Sequence, residues 1–225
     1  MIVQACETIT LIGGASIDAA MLQRAMTLGR GVVAADGGAD AALAHDVQPL
    51  AVIGDFDSIS AAARAALPEE IQHPIAEQDS TDFDKCLRNI AAPLVIGVGF
   101  SGDRLDHQLA AYNTLVRHPG RRCILLGREE LVFLAPPNLN LPLDPGTPAS
   151  LFPMGAVEGW SDGLLWPIAG VSFAPDGRVG TSNEATGPVQ LSVTRPKMLV
   201  ILPEWTLETV VPALLAHPAS WPGNP

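Results

Sequence analysis

The sequence predicts a parallel α/β sheet followed by a small all-β domain. Three observations carry this. Up to about residue 134, short apolar runs alternate with stretches of helical periodicity, the pattern of a sheet covered by helices. Several of those runs stop at glycine and aspartate. From Ala135 the composition changes. Prolines at 136, 137, 142, 145 and 148 exclude helix, and short runs broken by Gly and Pro turns follow.

Residues 8–12 read as a strand ended by Gly13 and Gly14. Ser16 caps a helix carrying Ala19, Leu22, Ala25 and Met26 on one face. Residues 31–35 form the next strand, which stops at Asp36-Gly37-Gly38, and an Ala-rich helix runs to His45. Residues 50–53 read as a buried strand reaching a sheet rim at Gly54-Asp55-Phe56-Asp57-Ser58. A helix over 60–67 is stopped by Pro68. Residues 71–75 read as an edge strand, because Pro74 cannot donate to a ladder. Thr81 and Asp84 resemble a capping box opening a helix that buries Phe83, Leu87 and Ile90. Residues 94–100 form the strongest strand and 101–104 a turn. The helix after it buries Leu105, Leu109, Tyr112 and Val116. Residues 123–126 and 131–134 pair as a hairpin. In the second half, 149–152, 163–167, 171–173, 189–193 and 198–202 read as strands. A short helix over 207–215 and a loose end from 218 follow.

A hydrophobic content of 48% with 16% charged residues describes a packed protein. The net charge of −11 argues against a non-specific nucleic-acid surface. Neither Lys85 nor Lys197 follows a P-loop glycine run. Cys6, Cys86 and Cys123 are odd in number, widely spaced and set among apolar residues. They read as reduced, buried thiols of a cytoplasmic protein. No apolar run reaches membrane-spanning length, and no secretory signal opens the chain.

Asp55 and Asp57 stand two residues apart. If strand geometry persists through Phe56, they point to one side and repel unless a cation lies between them. Oxygen-only ligation suits Mg²⁺. The plain alternative is a turn. Asp36, Asp55 with Asp57, Asp79 with Asp82, and Asp103 with Asp106 all follow strands. Parallel sheets bind ligands at that edge. Gly97-Val-Gly-Phe-Ser-Gly102 has the dinucleotide spacing, but at about the fifth strand and without a strand-ending acid about twenty residues later. It fits a loop whose amides and Arg104 approach phosphate. Asp106 fits a metal ligand or proton acceptor, and Arg104 with Asp106 also fits a plain ion pair. His107 fits a hydrogen-bonded structural histidine. A rim carboxylate contributes little packing, so Asp55→Asn is expected to abolish turnover and leave the fold intact.

Ala35-Asp-Gly-Gly-Ala39, Gly54-Asp-Phe-Asp-Ser58, Gln78-Asp-Ser-Thr-Asp-Phe83 and Gly102-Asp-Arg-Leu-Asp-His107 occur in this order. Gly163-Leu-Leu-Trp-Pro167 and Thr181-Ser-Asn-Glu184 follow. Together they resemble the motifs of the thiamin pyrophosphokinase family from about residue 8 to residue 202. Asp103 stands where glycine is frequent, and Gly180 precedes Thr181 where some relatives have serine. The resemblance implies a Rossmann-like α/β nucleotide domain (residues 1–135), a β-sandwich thiamine-binding domain (142–203) and a tail (204–225), acting as a cytoplasmic homodimer. It implies transfer of the pyrophosphoryl group of ATP to the thiamine hydroxyl, giving thiamine diphosphate and AMP. By motif match, Asp55, Asp57 and Asp82 surround Mg²⁺, with Asp106 close by, and these four are the catalytic acids. Asp36, Thr81, Ser101, Gly102 and Arg104 hold ATP and its phosphates. Gln78, Ser182 and Asn183 face thiamine, and Trp166 is a candidate to stack on a ring. Two other readings stay open: a Mg²⁺-dependent phosphohydrolase using water at the same edge, and a non-catalytic binder of thiamine or nucleotide.

Overall fold

The computed structural model describes residues 1–102, 104–216 and 221. Its fold is mixed α/β, with a large mixed sheet and a separate antiparallel sheet. The first part of the chain runs β1 (Val3–Gln4), β2 (Ile9–Ile12), α1 (Ala19–Leu28), β3 (Gly31–Ala35), α2 (Gly38–Ala44), β4 (Ala51–Gly54), α3 (Ala61–Ala66), β5 (Gln72–Pro74), α4 (Asp82–Asn89), β6 (Ile90–Ala91), β7 (Val95–Val98), α5 (Leu105–Arg117) and β8 (Cys123–Leu126). There follow β9 (Glu130–Leu134), β10 (Asn138–Leu141), β11 (Ser150–Pro153), β12 (Val157–Leu164), β13 (Ser172–Phe173), β14 (Ala185–Val193), β15 (Met198–Pro203) and α6 (Leu207–Ala216).

The chain divides into two compact units, residues 1–114 with 125–127, and residues 115–124 with 128–225. In the first unit five strands lie in the order β7-β2-β3-β4-β5, each parallel to its neighbour. β2, β4 and β7 are buried along their whole length, which is why they read as continuous apolar runs rather than alternating ones. β5, with Pro74, sits at the edge as expected. The chain runs outward from β2 through β3 and β4, then returns to β7 on the other side of β2. That reversal is a topological switch point, where such sheets open a crevice at their C-terminal ends.

Caps set the helices. The Asp18 carboxylate, not Ser16, caps α1, accepting the Met21 N–H at 2.8 Å. Ser16 stands two residues too early to reach that amide. Ser60 caps α3 by accepting the Ala63 N–H at 3.0 Å, and Thr81 caps α4 by accepting the Asp84 N–H at 3.2 Å. Between α2, α3, β3 and β4, a buried cluster of Ala34, Ala39, Val52, Ile59, Ala63 and Leu67 ties these elements together.

α5 departs from expectation. Leu105 and Leu109 are 66% and 54% exposed, while Ala111, Thr114, Leu115 and Val116 are buried. The buried stripe is therefore rotated from the expected one, and the two leucines face outward.

In the second unit, β11, β15 and β9 are antiparallel neighbours, and a second sheet has the order β10-β14-β12-β13. β12 begins at Val157, well before the expected residue 163, and carries a bulge between Asp162 and Leu164. Its outer positions, among them Glu158, Trp160 and Asp162, are exposed, as one-sided antiparallel strands allow. α6 buries Leu207, Val210, Val211 and Leu214 despite Pro212. The Trp221 indole donates to the Ala135 carbonyl at 2.8 Å. The rest of the end expected to be loose, 218–220 and 222–225, lies outside the described residues.

Cys86 and Cys123 are buried, but Cys6 is exposed. Cys6 lies two residues past β1, beyond the two-residue pairing with β6. Among the described residues, no helix is long and apolar enough to cross a membrane.

The α2 N-terminus packs on the end of β2 so closely that a Cβ on Gly38 would lie 2.1 Å from the Ile12 carbonyl oxygen. Gly38→Ala should therefore cost about 1–3 kcal/mol, read as a lowered midpoint in chemical denaturation.

Candidate active site

Four carboxylates gather beyond the C-terminal ends of β3 and β4 and at the start of α4. Asp55 and Asp57 do not reach one side by strand alternation. Phe56 has a left-handed φ of 66°, so β4 ends at Gly54 and the chain turns. The Phe56 ring packs into the cluster under α3, with the Arg64 guanidinium 5.4 Å from its centroid. This anchors the turn between the two acids. They converge all the same. Asp36, Asp55 and Asp57 each bring a carboxylate oxygen within 4.8 Å of the others. Among the described residues, no other three His, Cys, Asp or Glu side chains meet this closely.

Asp36 shapes this turn. It is 1% exposed and itself sits at a positive φ of 42°. Its carboxylate accepts the Ser58 N–H at 3.0 Å and the Ile59 N–H at 3.1 Å. The residue expected to hold ATP is thus engaged with the backbone of its own site. Burial pushes its pKa above the usual aspartate value. The Ser58 amide pulls the other way, and the charge of Asp82 raises it further. Gly54 permits the crowding, since a Cβ there would lie 2.6 Å from the Asp36 Cβ and 3.1 Å from Asp82 Oδ1.

Lys85 is the site residue that motif reading missed. Its side chain is fully buried, and Nζ donates to Asp55 Oδ2 at 2.7 Å and to Asp82 Oδ1 at 3.1 Å. The lysine hydrogen bond, outweighing burial, holds the Asp55 carboxyl below the ordinary aspartate range. For Lys85 burial opposes the charge, but the two carboxylates win and its pKa is raised. Two signals were available in the sequence. Lys85 is one of only two lysines, and it stands three residues after Asp82 on one helix face.

The other expected residues divide. Gln78 Nε2 donates to Asp55 Oδ2 at 3.3 Å, so it joins the acidic edge. The Thr81 hydroxyl serves as the α4 cap. Arg104 grips Asp106 through Nε at 3.3 Å and Nη2 at 2.7 Å, with both side chains exposed. That hydrogen bonding lowers the Asp106 pKa. Asp106 thus lies in an ion pair, outside the convergent group. Ser101 and Gly102 belong to the loop after β7, and Asp103 lies outside the described residues. Gly97, which opens the glycine spacing, is inside β7, so the spacing does not form one loop.

In the second unit, Ser182 is exposed at a φ of 61°, and its N–H donates to Ser150 Oγ at 3.0 Å. Asn183 is buried. Its Oδ1 accepts the Trp166 N–H at 3.2 Å, and its Nδ2 donates to the Trp166 carbonyl at 2.8 Å. The indole of Trp166 is left 58% exposed.

The convergent donors on the acidic edge are all carboxylate oxygens, hard ligands that suit Mg²⁺. The four carboxyl groups outnumber the single ammonium of Lys85, which bonds two of them.

The sequence model described as "Thiamin pyrophosphokinase, catalytic domain" matches residues 23–125. Thiamine pyrophosphokinase 3 of Oryza sativa subsp. japonica is 29% identical over 155 residues, covering 60% of this chain and 58% of that protein. Thiamine pyrophosphokinase 1 of Arabidopsis thaliana is 26% identical over 162 residues, covering 63% and 60%. The chain thus spans about three fifths of the length of these curated relatives. Among solved structures, yeast thiamin pyrophosphokinase superposes with a TM-score of 0.73 at 17% identity, covering 92% of this chain and 88% of that one. Thiamin pyrophosphokinase from Geobacillus thermodenitrificans gives 0.71 at 22% identity, covering 87% and 97%. These likenesses share the mixed α/β fold.

Asp55 is not the dispensable rim residue expected, because it faces a buried ammonium. Asp55→Asn should cost about 2–3 kcal/mol at neutral pH. That is below the ~3–5 kcal/mol of a wholly uncompensated buried charge, because Asp82 still faces Lys85. The folded-state pKa of Asp55 is depressed, so its contribution is complete above the ordinary value of 3.8 and lost as pH falls through the folded value. Denaturation of both proteins across pH should show the gap narrowing only in that acid range.

Proposed function

We propose that the chain, whose residues 23–125 match the thiamin pyrophosphokinase catalytic domain, transfers the pyrophosphoryl group of ATP to the hydroxyl of thiamine. The products are thiamine diphosphate and AMP. The observation that carries this reading is the convergence of Asp36, Asp55 and Asp57 at the C-terminal edge of a parallel sheet. A sheet of this kind binds nucleotides there.

Such a transfer needs chiefly alignment and charge neutralisation. On this reading Asp55 and Asp57, joined by Asp36, hold Mg²⁺, with Asp82 beside them. When bound, the ion would supply positive charge to neutralise phosphate in a chain of net charge −11. The loop with Ser101 and Gly102, at the switch point between β2 and β7, approaches the phosphates through its backbone amides. Arg104 leaves Asp106 to grip phosphate oxygens, a bidentate exchange of one oxyanion for another. Asp106, with its lowered proton affinity, is a poor base while that pair holds. Surplus carboxylates also attract the cationic thiazolium of thiamine.

The sequence resemblance adds the rest of the proposal. A Rossmann-like nucleotide domain (1–135) precedes a β-sandwich domain (142–203), and two chains form a cytoplasmic homodimer. Gln78 and Ser182 face thiamine. Asn183 is expected to face thiamine as well; in the fold its side chain also holds the Trp166 backbone, and on this proposal the exposed Trp166 ring stacks on the substrate.

Incubation with ATP, Mg²⁺ and thiamine should form AMP in step with thiamine diphosphate. Phosphate release that needs no thiamine would replace this reading with a phosphohydrolase, and binding without turnover would replace it with a binder. Asp57 is exposed and stands beside Asp36 rather than in the Lys85 ion pairs, so Asp57→Asn should lower kcat at least ~100-fold without lowering the melting temperature. Ser182→Ala should raise KM for thiamine more than KM for ATP. An equal rise in both would remove Ser182 from substrate selection.

A further inference from the structure

We infer that Lys85 is a positioning residue, a tethered cation that holds Asp55 and Asp82 in place for a divalent metal. This rests on the reading of the acidic edge as a metal site, and goes beyond it by assigning a role to a residue outside the metal ligands. Lys85 is among the largest fully buried side chains described. A buried ammonium is strongly disfavoured unless charged acceptors surround it. Here it has two, and they come from different elements. Asp82 opens α4, and Asp55 follows β4. The ammonium therefore fixes the distance between a helix N-terminus and a strand C-terminus at the point where four acids crowd.

The hydrogen bonds divide the carboxylates into two sides. Lys85 takes Asp55 Oδ2 and Asp82 Oδ1, and Gln78 also donates to Asp55 Oδ2. Asp55 Oδ1 is left facing the turn, where it accepts only a long 3.4 Å bond from the Asp57 N–H. One oxygen is thus tied inward and the other presented to the edge. Without the ammonium, Asp36, Asp55 and Asp82 repel one another across a space that a single Cβ on Gly54 would overfill. A compact point charge suits this place better than the planar fork of arginine.

Mn²⁺ binding to the purified full chain, followed by calorimetry and electron paramagnetic resonance without ATP or thiamine, tests this apart from turnover. Lys85→Met removes the charge and keeps the approximate volume. If Lys85 positions the acids, its Kd for Mn²⁺ rises at least ~10-fold. If Lys85 only offsets charge, the same variant binds Mn²⁺ more tightly. If Lys85 only packs, the Kd is unchanged while the melting temperature falls. Either of the last two results overturns the inference. Should Lys85→Met not fold, Lys85→Arg keeps the charge and alters only the geometry. Its Kd is then expected to rise at least ~3-fold, and wild-type binding overturns the inference. Wild-type chain that binds no Mn²⁺ overturns the metal reading itself, whereas wild-type binding with unaffected variants leaves that reading standing and removes only Lys85.

Discussion

One ammonium group in a dry place organises the candidate site. Lys85 cannot sit where it does without Asp55 and Asp82, and those two carboxylates cannot sit so near Asp36 without it. Each half removes the penalty of the other. The pair also joins two layers of the fold, because one partner belongs to the helix and the other to the sheet edge. A pairing of this kind is weak evidence for overall stability, since two charges have been taken from water to make it. It is strong evidence for a fixed arrangement, because one geometry satisfies all three groups.

A second device works on the backbone. Asp36 uses both carboxylate oxygens on the amides of Ser58 and Ile59. That closes the turn containing Asp55 and Asp57 against the end of β3. Phe56 secures the same turn from beneath by packing into the cluster under α3. The acids above are thus held by a buried carboxylate on one side and a half-buried ring on the other. Gly54 is small because Asp36 and Asp82 press in beside it.

Much of the parallel half was legible in the sequence, because its strands are short, apolar and followed by glycine and aspartate. The positions of Asp36, Asp55 and Asp57 at strand ends followed from that alone, and Asp82 at a helix start followed from the capping pattern of Thr81. What did not follow was how they meet. Strand alternation gave a reason for Asp55 and Asp57 to share a side, but the left-handed Phe56 brings them together by a turn, and no local pattern specifies φ there. Asp36 read as a ligand for substrate, and its engagement with residues 22 and 23 positions away is a tertiary fact. Lys85 was hidden because a lysine on a helix usually reads as a solvated charge. On α5, periodicity fits two adjacent stripes, and only tertiary burial, on the side of Ala111, Leu115 and Val116, distinguishes them. β12 was read too short because Glu158, Trp160 and Asp162 give it a polar look that only the exposed face of a sheet explains. In the β-rich half, Asn183 was legible as a motif residue, but not as the clamp on Trp166.

The Asp36 clamp has a consequence for folding. Its amide bonds the Ile53 carbonyl of β4 while its carboxylate bonds the turn beyond. The pairing of β3 with β4 and the closure of the acidic turn therefore share one residue. A chain with that strand pair open loses the Asp36 closure of the turn. Any cation that binds the gathered form alone is thermodynamically linked to the whole sheet and shifts the folding equilibrium by mass action. Closure of the acidic turn is thus coupled, through Asp36, to the pairing of β3 with β4.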